Sequence, residues 1–110
     1  MIALALTTLL LTPWTGRDLP TASAGARKYR LTIAAAPGTA VDVRATGVAE
    51  GWIAAFCDDR ICSPGHVKET IPASGTMQLQ FELIREDEHA PASSGAVLRS
   101  GDASVSVKPR

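Results

Sequence analysis

The sequence has no excess of either charge and few aromatic side chains. Its 110 residues carry 11 Lys and Arg against 11 Asp and Glu, so the formal net charge at pH 7 is zero. This balance argues against nucleic acid or an anionic membrane surface as a partner. The aromatic residues are two Trp, one Tyr and two Phe. A chain of this length forms one domain, and its core must be built largely from aliphatic side chains.

The sequence also lacks the short motifs of common enzyme classes. It contains no G-x-S-x-G elbow, no H-E-x-x-H, no P-loop and no G-x-G-x-x-G fingerprint. Neither His66 nor His89 has a neighbouring residue that it could activate as a nucleophile. We therefore predict that the protein is not an enzyme, and we assign it no catalytic residue, no metal ligand and no cofactor.

The longest apolar run is too short to cross a membrane as a helix. Residues 2–12 are uncharged, whereas a membrane-spanning helix needs about 20 apolar residues. A polar stretch follows, and then Ala-Ser-Ala at residues 22–24, a small-x-small sequence typical of signal-peptide cleavage. We predict a signal peptide over residues 1–24 and a periplasmic or secreted domain over residues 25–110. An uncleaved anchor is the alternative, and it is the one interpretation that involves a membrane.

Beyond residue 24, the apolar residues follow a period of two. Met77, Leu79, Phe81 and Leu83 alternate with polar residues, which is typical of a strand with one buried and one wet face. Six more segments show this alternation: 28–35, 39–46, 51–57, 66–71, 95–100 and 102–108. Turn residues separate the segments. The pattern predicts an all-β fold, an immunoglobulin-like antiparallel sandwich of about seven strands, with a closed barrel as the alternative.

The turns between these segments resemble those of a known family. A Thr-Gly pair, a Gly-Trp pair, an Ala-Ser-Gly turn and a loop with Ala, Pro and Gly occur at residues 46–47, 51–52, 73–75 and 90–95. They are similar to the NEW3-type immunoglobulin-like accessory domains of exported prokaryotic proteins, over roughly residues 41–99. The resemblance implies a module without catalytic residues that accompanies an enzyme or a surface protein. This chain departs from the pattern by carrying two cysteines.

Both cysteines lie in the stretch FCDDRICSPGH at residues 56–66. Its end resembles the copper loop of cupredoxins, with Cys62 and His66 in the places of the thiolate and imidazole ligands. A type 1 copper site also takes a second histidine and a weak axial ligand. However, no histidine precedes His66, and no methionine follows within the same loop. The spacing of Cys57 and Cys62 differs from the C-x-x-C of redox pairs. A zinc site would need further ligands from scattered loops.

A disulfide between Cys57 and Cys62 fits the pattern best, because paired cysteines of exported proteins are usually oxidised. Closing the short loop between them would stabilise the domain by roughly 2 kcal/mol. We therefore predict an exported, non-catalytic binding or structural module, an accessory domain or subunit that docks to another protein. The alternative is a small periplasmic metal-binding or electron-transfer protein that uses Cys57, Cys62 and His66.

Overall fold

The fold consists of β-strands joined by turns. A computed structural model describes residues 6–23 and 25–109. Within these ranges the regular elements are nine strands, and no helix is long and apolar enough to span a bilayer. The strands are β1 (Thr8–Pro13), β2 (Arg27–Ala34), β3 (Ala40–Thr46), β4 (Trp52–Cys57), β5 (Cys62–Pro64), β6 (His66–Thr70), β7 (Thr76–Arg85), β8 (Ala96–Ser100) and β9 (Ala103–Val107).

The strands form two antiparallel sheets that share one core. The first sheet has the order β1-β2-β7-β4-β5, and the second has the order β6-β3-β8-β9. The all-β class is confirmed, and two packed sheets are consistent with the predicted sandwich. The described residues form nine strands where about seven were predicted. The immunoglobulin-like topology stays a prediction.

The two strands that the sequence analysis missed are β1 and β5. β1 lies inside the predicted signal peptide and pairs with β2 at six positions, from Thr8 opposite Ala34 to Pro13 opposite Tyr29. β5 is only three residues long and pairs with the end of β4. The signal peptide and its cleavage before Gly25 stay predictions, and residues 1–5 and 24 lie outside the described residues.

The core lies between the two sheets and is built from alternate residues of the strands, as the period of two predicts. Its fully buried members include Leu31, Ile33, Val43, Phe56, Ile71, Phe81, Leu83 and Leu98. The rings of Phe56 and Phe81 lie 5.1 Å apart between centroids, on the neighbouring strands β4 and β7. Each fully buried side chain of this size contributes roughly 1.5–3 kcal/mol to folding.

Trp52 is only half-buried at the start of β4, where it packs against the edge of the core. Its indole Nε1 donates a hydrogen bond to the Pro91 carbonyl, at 2.7 Å. The preceding residue, Gly51, has φ +84, and a Cβ at this position would lie 2.5 Å from the Cβ of Ala90. A glycine is therefore required where the loop before β8 crosses the start of β4.

The outer face of the first sheet is partly covered, although the sequence predicts that the polar residues of β7 on this face are exposed to water. The alternation in β7 predicts that Gln80 and Glu82 face water, but both are fully buried. Residues 14–23, which we call the connecting segment, join β1 to β2 and contact this face through Thr21 and Ser23. The backbone N–H of Ser23 donates to Glu82 Oε1 at 2.8 Å. A strand face that is polar in sequence is thus closed off by a segment distant from it along the chain.

Candidate functional site

The cysteines lie at the end of a short hairpin formed by β4 and β5. Cys57 and Cys62 face each other across the two strands. In the turn between them, the backbone N–H groups of Arg60 and Ile61 both donate to Asp58 Oδ1 at 2.8 Å. These hydrogen bonds hold the pKa of Asp58 below its ordinary value of 3.8. An Asp in this position closes the turn through its own side chain, as is usual for such turns.

The predicted disulfide is confirmed. Cys57 and Cys62 are joined with an S–S distance of 2.04 Å. Cys57 is fully buried, whereas Cys62 is partly exposed. The bond lies on the outer face of the first sheet, since Cys57 is opposite Gln80 of β7 and the neighbouring residue Phe56 points into the core. A solvent-borne thiol or metal would therefore meet Cys62 first.

A buried carboxyl group lies next to the disulfide. Glu82 is fully buried, and one of its carboxylate oxygens and both cysteine sulfurs all lie within 4.8 Å of one another. Oε1 accepts the hydrogen bond from Ser23, while Oε2 has no hydrogen-bond partner among the described residues. The ion pairs found in the described chain do not include Glu82. Burying a carboxylate without a partner is costly, so this arrangement calls for a physical reason.

The connecting segment covers the hairpin as well as Glu82. The hydroxyl of Thr21 donates to the carbonyl of Asp58, and the carbonyl oxygen of Thr21 lies 3.2 Å from Sγ of Cys62. The disulfide, the carboxylate and a main-chain oxygen therefore meet in one place under this segment. We call Cys57, Cys62 and Glu82 the cysteine cluster.

The histidines lie elsewhere. His66 is exposed on β6 in the second sheet, opposite Arg44. His89 is exposed in the loop after β7, with Nε2 at 3.7 Å from Glu88 Oε1. Among the described residues, the side chains whose ligand atoms lie close enough together to hold a metal ion are those of the cysteine cluster. His66 is not one of them. Sequence analysis missed Glu82 because nothing along β7 indicates that β4 and the connecting segment would enclose it.

The edges of the two sheets differ in how well they could accept another strand. β5 is short and ends at Pro64, and β6 carries Lys68 and Glu69. Burial, helped by the negative charge of Asp58, raises the pKa of Glu69. Short strands, proline and charge all disfavour edge pairing. On the other side of the sandwich β1 and β9 lie near each other, and neither contains a charged residue.

Open grooves flank β1 on this second side of the sandwich. One, of about 370 Å³, is lined by Leu11, Tyr29, Val107 and their neighbours. The other, of about 360 Å³, lies at the start of β1 beside Leu6 and Asp42. The β1 side thus offers both an uncharged edge and concave surface next to it.

Comparison with known proteins gave no match for this chain among family models, curated proteins or solved structures. The resemblances to NEW3-type domains and to the cupredoxin loop therefore stay predictions.

Proposed function

We propose that the protein is an exported, non-catalytic β-sandwich module of immunoglobulin-like type that docks to another protein by accepting a strand at the edge of β2. Export is supported by the disulfide, since such bonds persist in oxidising compartments. In the proposed mature chain, which begins at Gly25, β1 is removed and β2 becomes the edge of the first sheet.

One observation carries this proposal: β1 itself occupies that edge. It lies antiparallel to β2 over six positions, and its Leu9 and Leu11 pack against the core. Removing β1 would leave residues 29–34 of β2 without a paired strand on that side and would uncover that part of the core. A strand from a partner would restore both the backbone hydrogen bonds and the apolar contacts, which is the usual basis of recognition by strand addition.

The residues after β1 indicate the chemistry of the partner segment. The Arg30 guanidinium carbon lies 4.8 Å from the centre of the Trp14 ring. Lys28 Nζ lies 2.7 Å from Asp18 Oδ2, with the Lys28 side chain only 14% exposed. Without this stretch, two cations on β2 lose their partners. The proposed partner is therefore an exported protein with an extended apolar segment, followed by an aromatic and an acidic residue.

Site-directed photocrosslinking tests this proposal. A photoreactive residue at Thr32, on β2 opposite Leu10, reports on the proposed docking edge. The matched control is Ser63 on β5, which is similarly half-buried but lies at the opposite edge of the same sheet. We expect the exported protein to crosslink to another polypeptide from position 32 and not from position 63. Equal crosslinking from both positions, crosslinking only to a second copy, or retention of residues 1–24 would contradict the proposal.

A further inference from the structure

We propose that Cys57, Cys62 and Glu82 form a redox-gated binding site for Zn²⁺, closed while the disulfide is intact and opened by its reduction. This inference concerns the outer face of the first sheet and not its edge, and it applies to the full chain, in which Thr21 and Ser23 of the connecting segment cover the site. No histidine takes part in the proposed site.

The buried carboxylate of Glu82 is the first feature that favours a metal site. Glu82 is fully buried, its Oε2 has no partner among the described residues, and the same carboxylate lies within 4.8 Å of both sulfurs. Buried carboxylates in proteins are commonly paired with a cation or bound to a metal. A dication between the carboxylate and the two sulfurs would give Glu82 Oε2 the partner that it lacks.

The distances between the two sulfurs and the Glu82 carboxylate also favour a zinc site. Zinc binds thiolate sulfur at about 2.3 Å and carboxylate oxygen at about 2.0–2.2 Å, so its tetrahedral ligands lie roughly 3.5–3.8 Å from one another. In the oxidised protein the three ligand atoms already lie within 4.8 Å of one another. Once reduction removes the bond between the sulfurs, the two cysteine side chains can separate to zinc-binding distance.

An oxygen is already present for a fourth position. The carbonyl oxygen of Thr21 lies 3.2 Å from Sγ of Cys62, on the connecting segment. Two soft thiolates and two oxygens form a donor set that suits zinc better than magnesium or calcium, which prefer oxygen alone.

Reduction by a dithiol opens the site in two steps. One thiolate of the reductant attacks Sγ of Cys62, the more exposed of the two cysteines, and forms a mixed disulfide while Cys57 leaves as a thiolate. The second thiol of the reductant then displaces Cys62, so the reductant becomes a disulfide and the two cysteines gain two electrons and two protons. Zn²⁺ binding releases both protons to solvent, because the thiolate is the ligand form.

The test compares zinc binding by the oxidised and the reduced full chain. Reduction uses a phosphine, because dithiols themselves bind zinc. The excess phosphine is removed without oxygen, and Zn²⁺ alone is titrated by calorimetry. We expect one zinc per reduced chain and none per oxidised chain. Glu82→Gln should weaken binding by roughly tenfold or more, the loss seen even when only a residue supporting a metal ligand is changed. His66→Ala, an exposed control, should bind as the unchanged protein does.

Several outcomes would overturn the proposal: no stoichiometric binding by the reduced protein, equal binding by the oxidised protein, unchanged affinity in Glu82→Gln, or a loss of affinity in His66→Ala. If Glu82→Gln does not fold, X-ray absorption of zinc bound to the unchanged chain decides the question. The expected shell has two sulfurs at about 2.3 Å and oxygens at about 2.0–2.2 Å. Three or four sulfurs, or imidazole nitrogen, would contradict the proposed ligands.

Discussion

Replacing Cys57 and Cys62 together with alanine should lower the free energy of unfolding by about 2–3 kcal/mol. Closing the short loop between them contributes about 2 kcal/mol through the entropy of the unfolded chain. Cys57 is fully buried beside Gln80, so the loss of its sulfur adds up to about 1 kcal/mol of lost burial. Alanine is preferable to serine here because a hydroxyl at this buried position would add a polar group without a certain partner.

Thermal unfolding of the full chain measures this effect. For a domain of this size the melting temperature should fall on the order of 10 °C. A reductant should lower the melting temperature of the unchanged protein toward that of the variant and should leave the variant unaffected. A chelator in the buffer prevents a metal from replacing the bond. If the reductant has the same effect on both proteins, or if the double variant melts with the unchanged protein, the disulfide does not stabilise the fold as argued.

Three further predictions concern other parts of the fold. In the full chain, Leu9→Ala should lower the free energy of unfolding, measured with a chemical denaturant, by about 1 kcal/mol, because Leu9 packs against the core. Leu10→Ala should have little effect, because Leu10 is 59% exposed. Equal effects of the two substitutions would contradict the orientation of β1. The pKa of Asp58 is lowered by folding, so its stabilising effect is present above its ordinary value of 3.8 and is lost as pH falls through the folded value. The difference in stability between Asp58→Asn and the unchanged protein should therefore shrink below about pH 4; a difference that is constant with pH would refute this. Trp52 packs against the core, so its native fluorescence should lie to the blue of the unfolded emission, and coincident spectra would contradict that packing.

The strands that sequence analysis predicted are those in which polarity alternates clearly. β7 is the best example, since Leu79, Phe81 and Leu83 all reach the core. β1 was missed because its three consecutive leucines show no alternation and resemble the apolar part of a signal peptide. β5 was missed because three residues are too few for any period to be detected.

At the candidate site, the disulfide could be predicted from the sequence, whereas the buried carboxylate could not. Cys57 and Cys62 could be paired from sequence because the chain has two cysteines in a short segment between strands. Glu82 could not be found, since its position in an alternating strand predicts a wet face. Its burial depends on Ser23, which is 59 residues away along the chain. Contacts of that range follow from the order of strands in the sheet, which no local pattern specifies.

The most direct test of the proposed function is the mass of the protein recovered from its exported fraction, measured first under native and then under denaturing conditions. We expect a native complex with a second kind of polypeptide. On denaturation, we expect a chain of residues 25–110 that has lost the two hydrogens of its cysteine thiols. A chain that keeps residues 1–24, with β1 in place and no partner bound, would contradict the proposed function.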